Sequence, residues 1–377
     1  MIVGVVKEIK NNENRIGMTP ACVSEYVAAG HTVLVEKDGG LGASFQNEEY
    51  AAAGAEIVDS AAEVWARSNM IIKVKEPIEA EYKYLRKDLI LYTYLHLAAD
   101  KPLTEALLAA GTDAVAYETI TDNQGGLPCL APMSEIAGRM ASLQGCKYLE
   151  RTFGGEGVLL AGVPGVQKGK VTILGGGVVG INAAKIAMGL GADVTIMDIS
   201  ARRLAYLDDI FGSRIQTLYS SAANIKKSIA EADVVVGAVL IPGKKAPKLI
   251  KREDLKLMKK GAVLVDVAVD QGGCFETTKA TTHQDPIFVI DDIVHYCVAN
   301  MPGAVAKTST LALVNTTLSI GLQIANKGLV QALKENKNIV SGVNCYQGKC
   351  TLDGVAEAFD LDLYDVMELV QPLSLSA

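Results

Sequence analysis

One stretch near the middle of the chain leaves little freedom in how it folds. The β-branched run KVTIL (170–174) passes directly into GGGVVG, where Gly175, Gly177 and Gly180 satisfy GxGxxG, and then into the helix-like VVGINAAKIAMGLG. A second apolar run, ADVTIM (192–197), leads to Asp198, 18 positions beyond Gly180. Strand, glycine turn, helix, strand and terminal acid in this order form a dinucleotide-binding fingerprint. The glycines permit a tight turn and close approach of backbone to a pyrophosphate, while the helix amino terminus supplies N–H donors and a partial positive charge. The acid accepts hydrogen bonds from both ribose hydroxyls and repels a 2′-phosphate, which favours NAD over NADP. Arg202 and Arg203 follow closely. They are open to two readings, as solvated helix residues or as guanidinium groups that accommodate such a phosphate.

The apolar runs ADVVVGAV (232–239), AVLVDVAV (262–269) and IFVID (287–291) continue this series, and a separate one opens the chain. It comprises MIVGVV, TVLVE (32–36), MIIKVK (70–75), LILYTYL (89–95) and AVAYE (114–118), with helix-like segments between. Thr19-Pro20 offers an N-cap and a first-turn proline, and Gly30 stands where a C-cap glycine would. Alternation of this kind predicts the α/β class, as two doubly wound parallel-sheet domains. Two long helix-like segments, 132–153 and 304–328, are expected to carry the chain across an interdomain cleft and back. The nucleotide-binding domain, 131–306 with helical crossovers at both ends, is then inserted into a discontinuous domain formed by 1–130 and 307–377. With 377 residues, 49% of them hydrophobic, the chain can fill two cores.

Charge narrows the partners. Lys and Arg number 36 against 43 Asp and Glu, a net charge of -7, which opposes the basic footprint of a nucleic-acid or anionic-membrane binder. The longest apolar-leaning stretch, 308–330, is interrupted by Thr308, Asn315, Thr316, Gln323 and Asn326, so it reads as a buried helix and no membrane association is expected. The opening MIVGVVKEIKNNENR lacks the positive-then-apolar plan of a signal peptide, which implies a cytoplasmic protein. Seven cysteines form no tandem CxxC array and are expected to be reduced thiols. His295 and Cys297 are too few to make a metal site, and Cys345 and Cys350 in NCYQGKC flank a glycine-containing turn.

In parallel sheets ligands bind beyond the carboxyl ends of the strands. Arg15 lies in the segment after MIVGVV, Lys75 closes MIIKVK, His96 follows LILYTYL, and Asp270 follows AVLVDVAV. Arg15 can grip a carboxylate through a bidentate fork and Lys75 can add a point charge, so the implied substrate is a small acid. His96 brings the side-chain type best suited to proton exchange around neutral pH. Asp270 is placed to hydrogen-bond either the substrate's polar centre or a cofactor ribose. His31, His283 and His295 lack comparable placement and read as structural.

The segments VGVVKEIKNNENRIGMTP, KVKEP (73–77), YTYLHLA (92–98), ILGGGVVG (173–180), VDVAVDQGG (265–273) and VANMPGAVAKTSTLALVN (298–315) together resemble the bacterial L-alanine dehydrogenase family over nearly the whole chain. The resemblance implies NAD-linked, reversible oxidative deamination of L-alanine to pyruvate and ammonia, in a homohexamer. It implies carboxylate ligands at Arg15 and Lys75, a catalytic pair at His96 and Asp270, and a substrate pocket lined by Tyr94, Met133, Asn300 and Met301. Around NAD it implies Ser134, Val178, Asp198, Arg203, Ser220, Leu240 and Val298 beside the three glycines. The NAD-binding subunit of proton-translocating transhydrogenase shares the early VKEP-type motif but has no use for an amino-acid carboxylate clamp. Saccharopine-type dehydrogenases are more distant and need a larger, more anionic-substrate pocket, and a non-catalytic NAD sensor leaves the Arg15, Lys75 and His96 set without a purpose.

Overall fold

The β-branched runs become strands whose hydrogen bonds set the architecture. In chain order they are β1 (Ile2–Val5), β2 (Thr32–Glu36), β3 (Glu56–Val58), β4 (Met70–Ile72), β5 (Ile90–Thr93) and β6 (Asp113–Ala116), then β7 (Lys170–Leu174), β8 (Asp193–Asp198), β9 (Gln216–Tyr219), β10 (Val234–Gly237), β11 (Val263–Asp266), β12 (Ile287–Ile290) and β13 (Ile293–Tyr296), and finally β14 (Val343–Tyr346) and β15 (Lys349–Cys350). The computed structural model describes residues 1–239 and 246–371. The chain divides into two units, Met1–Pro132 with Val305–Ala377, and Met133–Ala304.

The first unit carries an eight-stranded sheet in the order β15-β14-β6-β5-β4-β1-β2-β3. From β6 through β3 all pairings are parallel, whereas β14 pairs antiparallel with both β6 and β15. The second unit carries a seven-stranded sheet in the order β12-β13-β11-β10-β7-β8-β9, parallel except between β12 and β13. The sheets are therefore mixed rather than wholly parallel: β14 returns antiparallel to β6 from far along the chain, and the other two antiparallel pairs are local hairpins. Asp291 and Asp292, with φ of 51° and 63°, join β12 to β13, and Gln347 and Gly348, with φ of 47° and 81°, join β14 to β15. Two consecutive residues at positive φ make the tight turn whose twist suits a hairpin. The glycine-containing turn of NCYQGKC is real, and its flanks are strands that set Cys345 opposite Cys350 as buried free thiols.

Each sheet has its own core. In the first unit Trp65, Ile71, Leu91, Leu103 and Leu107 pack with Cys345 and Val355, and in the second Leu174, Val235, Leu264 and Phe275 pack with Ile229 and Ile293. Each such aliphatic or aromatic side chain contributes about 1.5–3 kcal/mol on burial. The helix Pro20–Ala28 begins as its sequence dictates, with the Thr19 hydroxyl accepting from the Cys22 amide and proline in the first turn. The long helix Ala306–Lys327 buries Leu313, Val314 and Ile324. Two of its polar interruptions have structural uses: the Gln323 side-chain oxygen accepts from the Asn336 side-chain amide at 2.9 Å, and Asn326 Oδ1 lies 2.8 Å from the His31 ring. Among the described residues no helix is long and apolar enough to cross a membrane.

Candidate functional site

In the second sheet the strand order reverses direction at β7, with β8 and β9 on one side and β10 on the other. This is the crevice where an α/β sheet takes a ligand. The glycine turn stands there, between β7 and the helix Val178–Gly189, with Gly177 as its N-cap. Gly175 has φ of 106°, a conformation that resists a side chain, and a Cβ on Gly180 would overlap the Gly175 carbonyl oxygen. Around Gly177 there is open space on the side where a Cβ would project. The three glycines thus make the turn, leave room for an approaching phosphate and seat the helix against the strand. Val178, at the first helical position, is an exposed apolar side chain.

Asp198 ends β8 and already organises this edge. Its two carboxylate oxygens accept from the Gly176 amide at 2.9 Å and the Ser200 amide at 2.9 Å, and its carbonyl accepts from the Ser220 amide at 3.0 Å. Ser220 is half-buried just beyond β9. Arg202 and Arg203 are both exposed, and the Arg203 guanidinium lies 5.6 Å from the Tyr206 ring centre. Ser134 is half-buried, and Met133 buried, in the first turn of the helix Ala131–Tyr148. That helix is fastened beside the glycine-rich helix by Ser142 donating to the Ala183 carbonyl at 2.7 Å and Arg139 donating to the Asn182 side chain at 3.0 Å. Val298 and Met301 are buried beyond β13, and Asn300 between them has φ of 62°. The His283 ring lies 3.0 Å from the Asn300 carbonyl. Asp270 is exposed, in the short 3-10 turn Val269–Gln271 that follows β11. Leu240 falls outside the described residues.

The first sheet has its own reversal, at β1, with β2 and β3 on one side and β4 on the other. Arg15 and Lys75 belong to the segments that leave these two adjacent strands, and Tyr94 and His96 follow β5 beside them. Glu8, in the segment after β1, accepts from the Val74 amide at 2.6 Å and the Lys75 amide at 3.2 Å, which ties the two segments together. Arg15 is 2% exposed, and Glu13 grips its Nε and Nη2 at 2.7 and 2.5 Å. Burial alone would lower the guanidinium's pKa, but the Glu13 carboxylate outweighs it and the net direction is upward. The sequence groups Arg15 with Lys75 and His96 and does not announce its carboxylate partner, Glu13, which sets the plane of the guanidinium from two residues earlier.

His96 has φ of 51° and a side chain 46% exposed. A bulky residue in the left-handed region is uncommon and persists only where its surroundings fix it. Here the Glu118 carboxylate accepts from the amides of Leu95 at 3.1 Å and His96 at 2.6 Å, and lies 3.8 Å from the His96 Nδ1. Tyr94 stacks on the imidazole with the ring planes 5° apart. Its own hydroxyl is committed to the Cys129 carbonyl at 2.6 Å, and burial drives its pKa up. Beneath Lys75 the buried Lys73 ammonium bonds Glu8 at 3.0 Å and Glu81 at 2.9 Å. Burial opposes the Lys73 charge, yet the two carboxylates prevail and raise its pKa, while burial pushes Glu8 up as well. Glu8, Glu13 and Glu118, like Arg15, follow the carboxyl end of a strand, so the rule that singled out Arg15 also reaches them; Glu81, in the helix Glu79–Tyr82, carries no such signal.

The remaining histidine in the second core is a packing element. The buried His295 places Nδ1 3.0 Å from the Ile293 carbonyl and Nε2 2.8 Å from the Thr277 hydroxyl, and burial lowers its pKa. Because a carbonyl only accepts, Nδ1 carries a proton and donates it. Among the described residues no cluster of three or more His, Cys, Asp or Glu side chains could hold a metal ion.

Two family models match the chain: "Alanine dehydrogenase/PNT, N-terminal domain" over residues 4–137 and "Alanine dehydrogenase/PNT, C-terminal domain" over residues 141–353. Alanine dehydrogenase 2 of Staphylococcus aureus (strain USA300) is 53% identical over 372 residues, 98% of this chain and 100% of the relative. The protein of the same description from strain MRSA252 is 53% identical over 369 residues, 98% of this chain and 99% of the relative. Among solved structures, an L-alanine dehydrogenase superposes with a TM-score of 0.92 at 50% identity, covering 96% of this chain and 99% of that one. A transhydrogenase from Sinorhizobium meliloti superposes with a TM-score of 0.80 at 24% identity, covering 94% and 99%, a likeness of fold alone.

Proposed function

The chain belongs to the alanine dehydrogenase/PNT family, and from that premise we propose that it oxidises L-alanine to pyruvate and ammonia with NAD as hydride acceptor, and catalyses the reverse reductive amination. The observation that carries the reading is the 53% identity to an alanine dehydrogenase along 98% of the chain. The residues at the edge of the second sheet suit the cofactor: an open space at Gly177, a helix amino terminus behind it and an acid at the end of β8. NAD, when bound, supplies the acceptor for the hydride leaving the substrate Cα.

The protein's part is holding and proton transfer. The turn Gly175–Gly180 takes the pyrophosphate. A carboxylate offers about four acceptor positions, so Asp198 keeps its bonds to Gly176 and Ser200 while receiving the ribose hydroxyls. Ser134, Val178, Arg203, Ser220, Leu240 and Val298 complete the cofactor's surroundings. Arg15 and Lys75 bind the substrate carboxylate, Arg15 in the plane that Glu13 imposes. Tyr94, Met133, Asn300 and Met301 line the substrate's place. His96 exchanges the protons that deamination requires, with the Glu118 carboxylate 3.8 Å from its Nδ1, and Asp270 stabilises the polar centre at the reacting carbon. The assembly is a homohexamer in the cytoplasm, with residues 1–130 and 307–377 serving the substrate and 131–306 the nucleotide.

The test is a spectrophotometric panel of the purified protein with NAD or NADP against L-alanine, other L-amino acids, and L-lysine with 2-oxoglutarate under reductive conditions. Rapid NADH formation with L-alanine is expected, and light scattering of the same sample reports the hexamer. Silence across the panel with NADH binding intact would overturn the reading in favour of a transhydrogenase-like subunit.

A further inference from the structure

The turn that bears Asp270 is gripped from both sides by buried or tethered charge. Asp266, the last residue of β11, is fully buried. Its carboxylate accepts from the Ala268 amide at 3.0 Å, the Cys274 amide at 2.8 Å and the Thr278 hydroxyl. It thus binds the chain on both sides of Val269–Gln271 and at one point beyond. On the carbonyl side stands Lys248, whose ammonium donates to the carbonyls of Gly272, Gly273 at 3.0 Å and Phe275 at 2.9 Å. Lys248 is itself held by two backbone bonds that bracket it, Ala246 to the Gln271 carbonyl at 2.9 Å and Leu249 to the Cys274 carbonyl at 2.7 Å. A buried carboxylate therefore collects the inward-pointing N–H groups of the loop, and an ammonium collects its C=O groups. Charged groups make the stronger hydrogen bonds, and a buried carboxylate persists only where several donors meet it.

We infer that Asp266 and Lys248 are positioning residues for Asp270, together fixing the turn from which its carboxylate projects. The inference rests on the proposed role of Asp270 in the reaction. Neither residue needs to touch substrate or cofactor. Buried polar contacts of this kind hold a catalytic group to within a fraction of an ångström, and displacement by about 1 Å costs on the order of 10²-fold in rate.

The experiment uses Asp266→Asn and Lys248→Met in the full chain, each alone and combined with Asp270→Asn. Three readouts are taken: hydrogen exchange at the amides of residues 268–274, steady-state kcat and KM for L-alanine, and NADH affinity by fluorescence. Exchange across the turn is expected to quicken by about tenfold. The kcat is expected to fall by about tenfold or more with NADH affinity within about twofold of the parent, and Lys248→Arg is expected to recover most of it. In the Asp270→Asn background neither variant is expected to lower kcat further, because there is no carboxylate left to position. Unchanged exchange, or losses that add fully to that of Asp270→Asn, would overturn the inference. Should Asp266→Asn not fold, Lys248→Met and Thr278→Val, at the rim of the same network, decide the matter. Should Asp270→Asn retain full turnover, the catalytic assignment falls, and the exchange data still establish or refute the clamp.

Discussion

At the carboxyl edge of the second sheet the groups offered to a ligand are mostly backbone: the open face at Gly177, the helix amino terminus at Val178 and the turn beneath them. At the edge of the first sheet the proposed groups are side chains that carboxylates hold in place, the Arg15 guanidinium gripped by Glu13 and His96 fixed through its backbone amide by Glu118. A nucleotide is large, its phosphates accept hydrogen bonds, and oriented amides satisfy them without desolvating a charge. A small amino acid offers only a carboxylate and an amine, so it demands side-chain charges, and buried charges demand partners. The contrast predicts that damage at the two edges separates cleanly.

The largest effect is expected from a pair of substitutions that exchange their symptoms. On the proposed assignment His96→Ala lowers turnover by about 10³-fold and leaves NADH affinity nearly unchanged. Gly180→Val, which forces a side chain into the Gly175 carbonyl, weakens NADH binding by about tenfold or more. Steady-state rates and fluorescence titration on both variants check the separation; equal losses in both assays for either one would erase it. The next effect tests the charge pairing. Glu13→Gln removes the carboxylate that grips a guanidinium only 2% exposed, and urea unfolding is expected to show a loss of about 3 kcal/mol. The KM for alanine should rise as well, since the guanidinium plane is no longer fixed.

The same contrast governs how much could be read from residues alone. The nucleotide edge was legible because its information is local: KVTIL, the glycines and Asp198 fall within one supersecondary unit, and β7 begins and ends where the run KVTIL does. Strands that were missed lie at sheet edges or beside them. Glu56–Val58 has three residues, and Gln216–Tyr219 is half-exposed throughout, so neither needs an apolar run. The hairpin partner Val343–Tyr346 was read only as the approach to a turn, because its pairing with β6 joins segments far apart in sequence. In the first unit Arg15, Lys75 and His96 were singled out by their position after strands. Their partners were not, since nothing in spacing announces that Glu118 will receive the amide of His96, or that Lys73 rather than Lys75 will be buried between two glutamates.

The smallest effect concerns the seam between β6 and the late hairpin. Asp113 accepts from the Gln347 amide at 3.0 Å, and burial pushes its carboxyl up to about 6. The folded chain therefore binds this proton more readily than the unfolded one, and the stability it adds at low pH is lost as pH rises from the ordinary carboxylate value near 4 to about 6, then stays level. Asp113→Asn keeps an acceptor for Gln347 and removes the titration. Melting curves from pH 4 to 8 should show the variant overtaking the parent across that window, by about 1 kcal/mol at most given the partial exposure. A difference independent of pH would mean that Asp113 is not the group responsible.

That seam also dictates an order of birth. The second unit is one unbroken stretch, Met133–Ala304, whereas the first awaits residues from Val305 onward, and β6 has no neighbour on its far side until Val343–Tyr346 has been made. As the chain emerges from a ribosome, the nucleotide unit can finish folding while the earlier-made half of its companion still shows a bare sheet edge. What begins first is completed last, and a chaperone that shields nascent strands has its longest watch at β6.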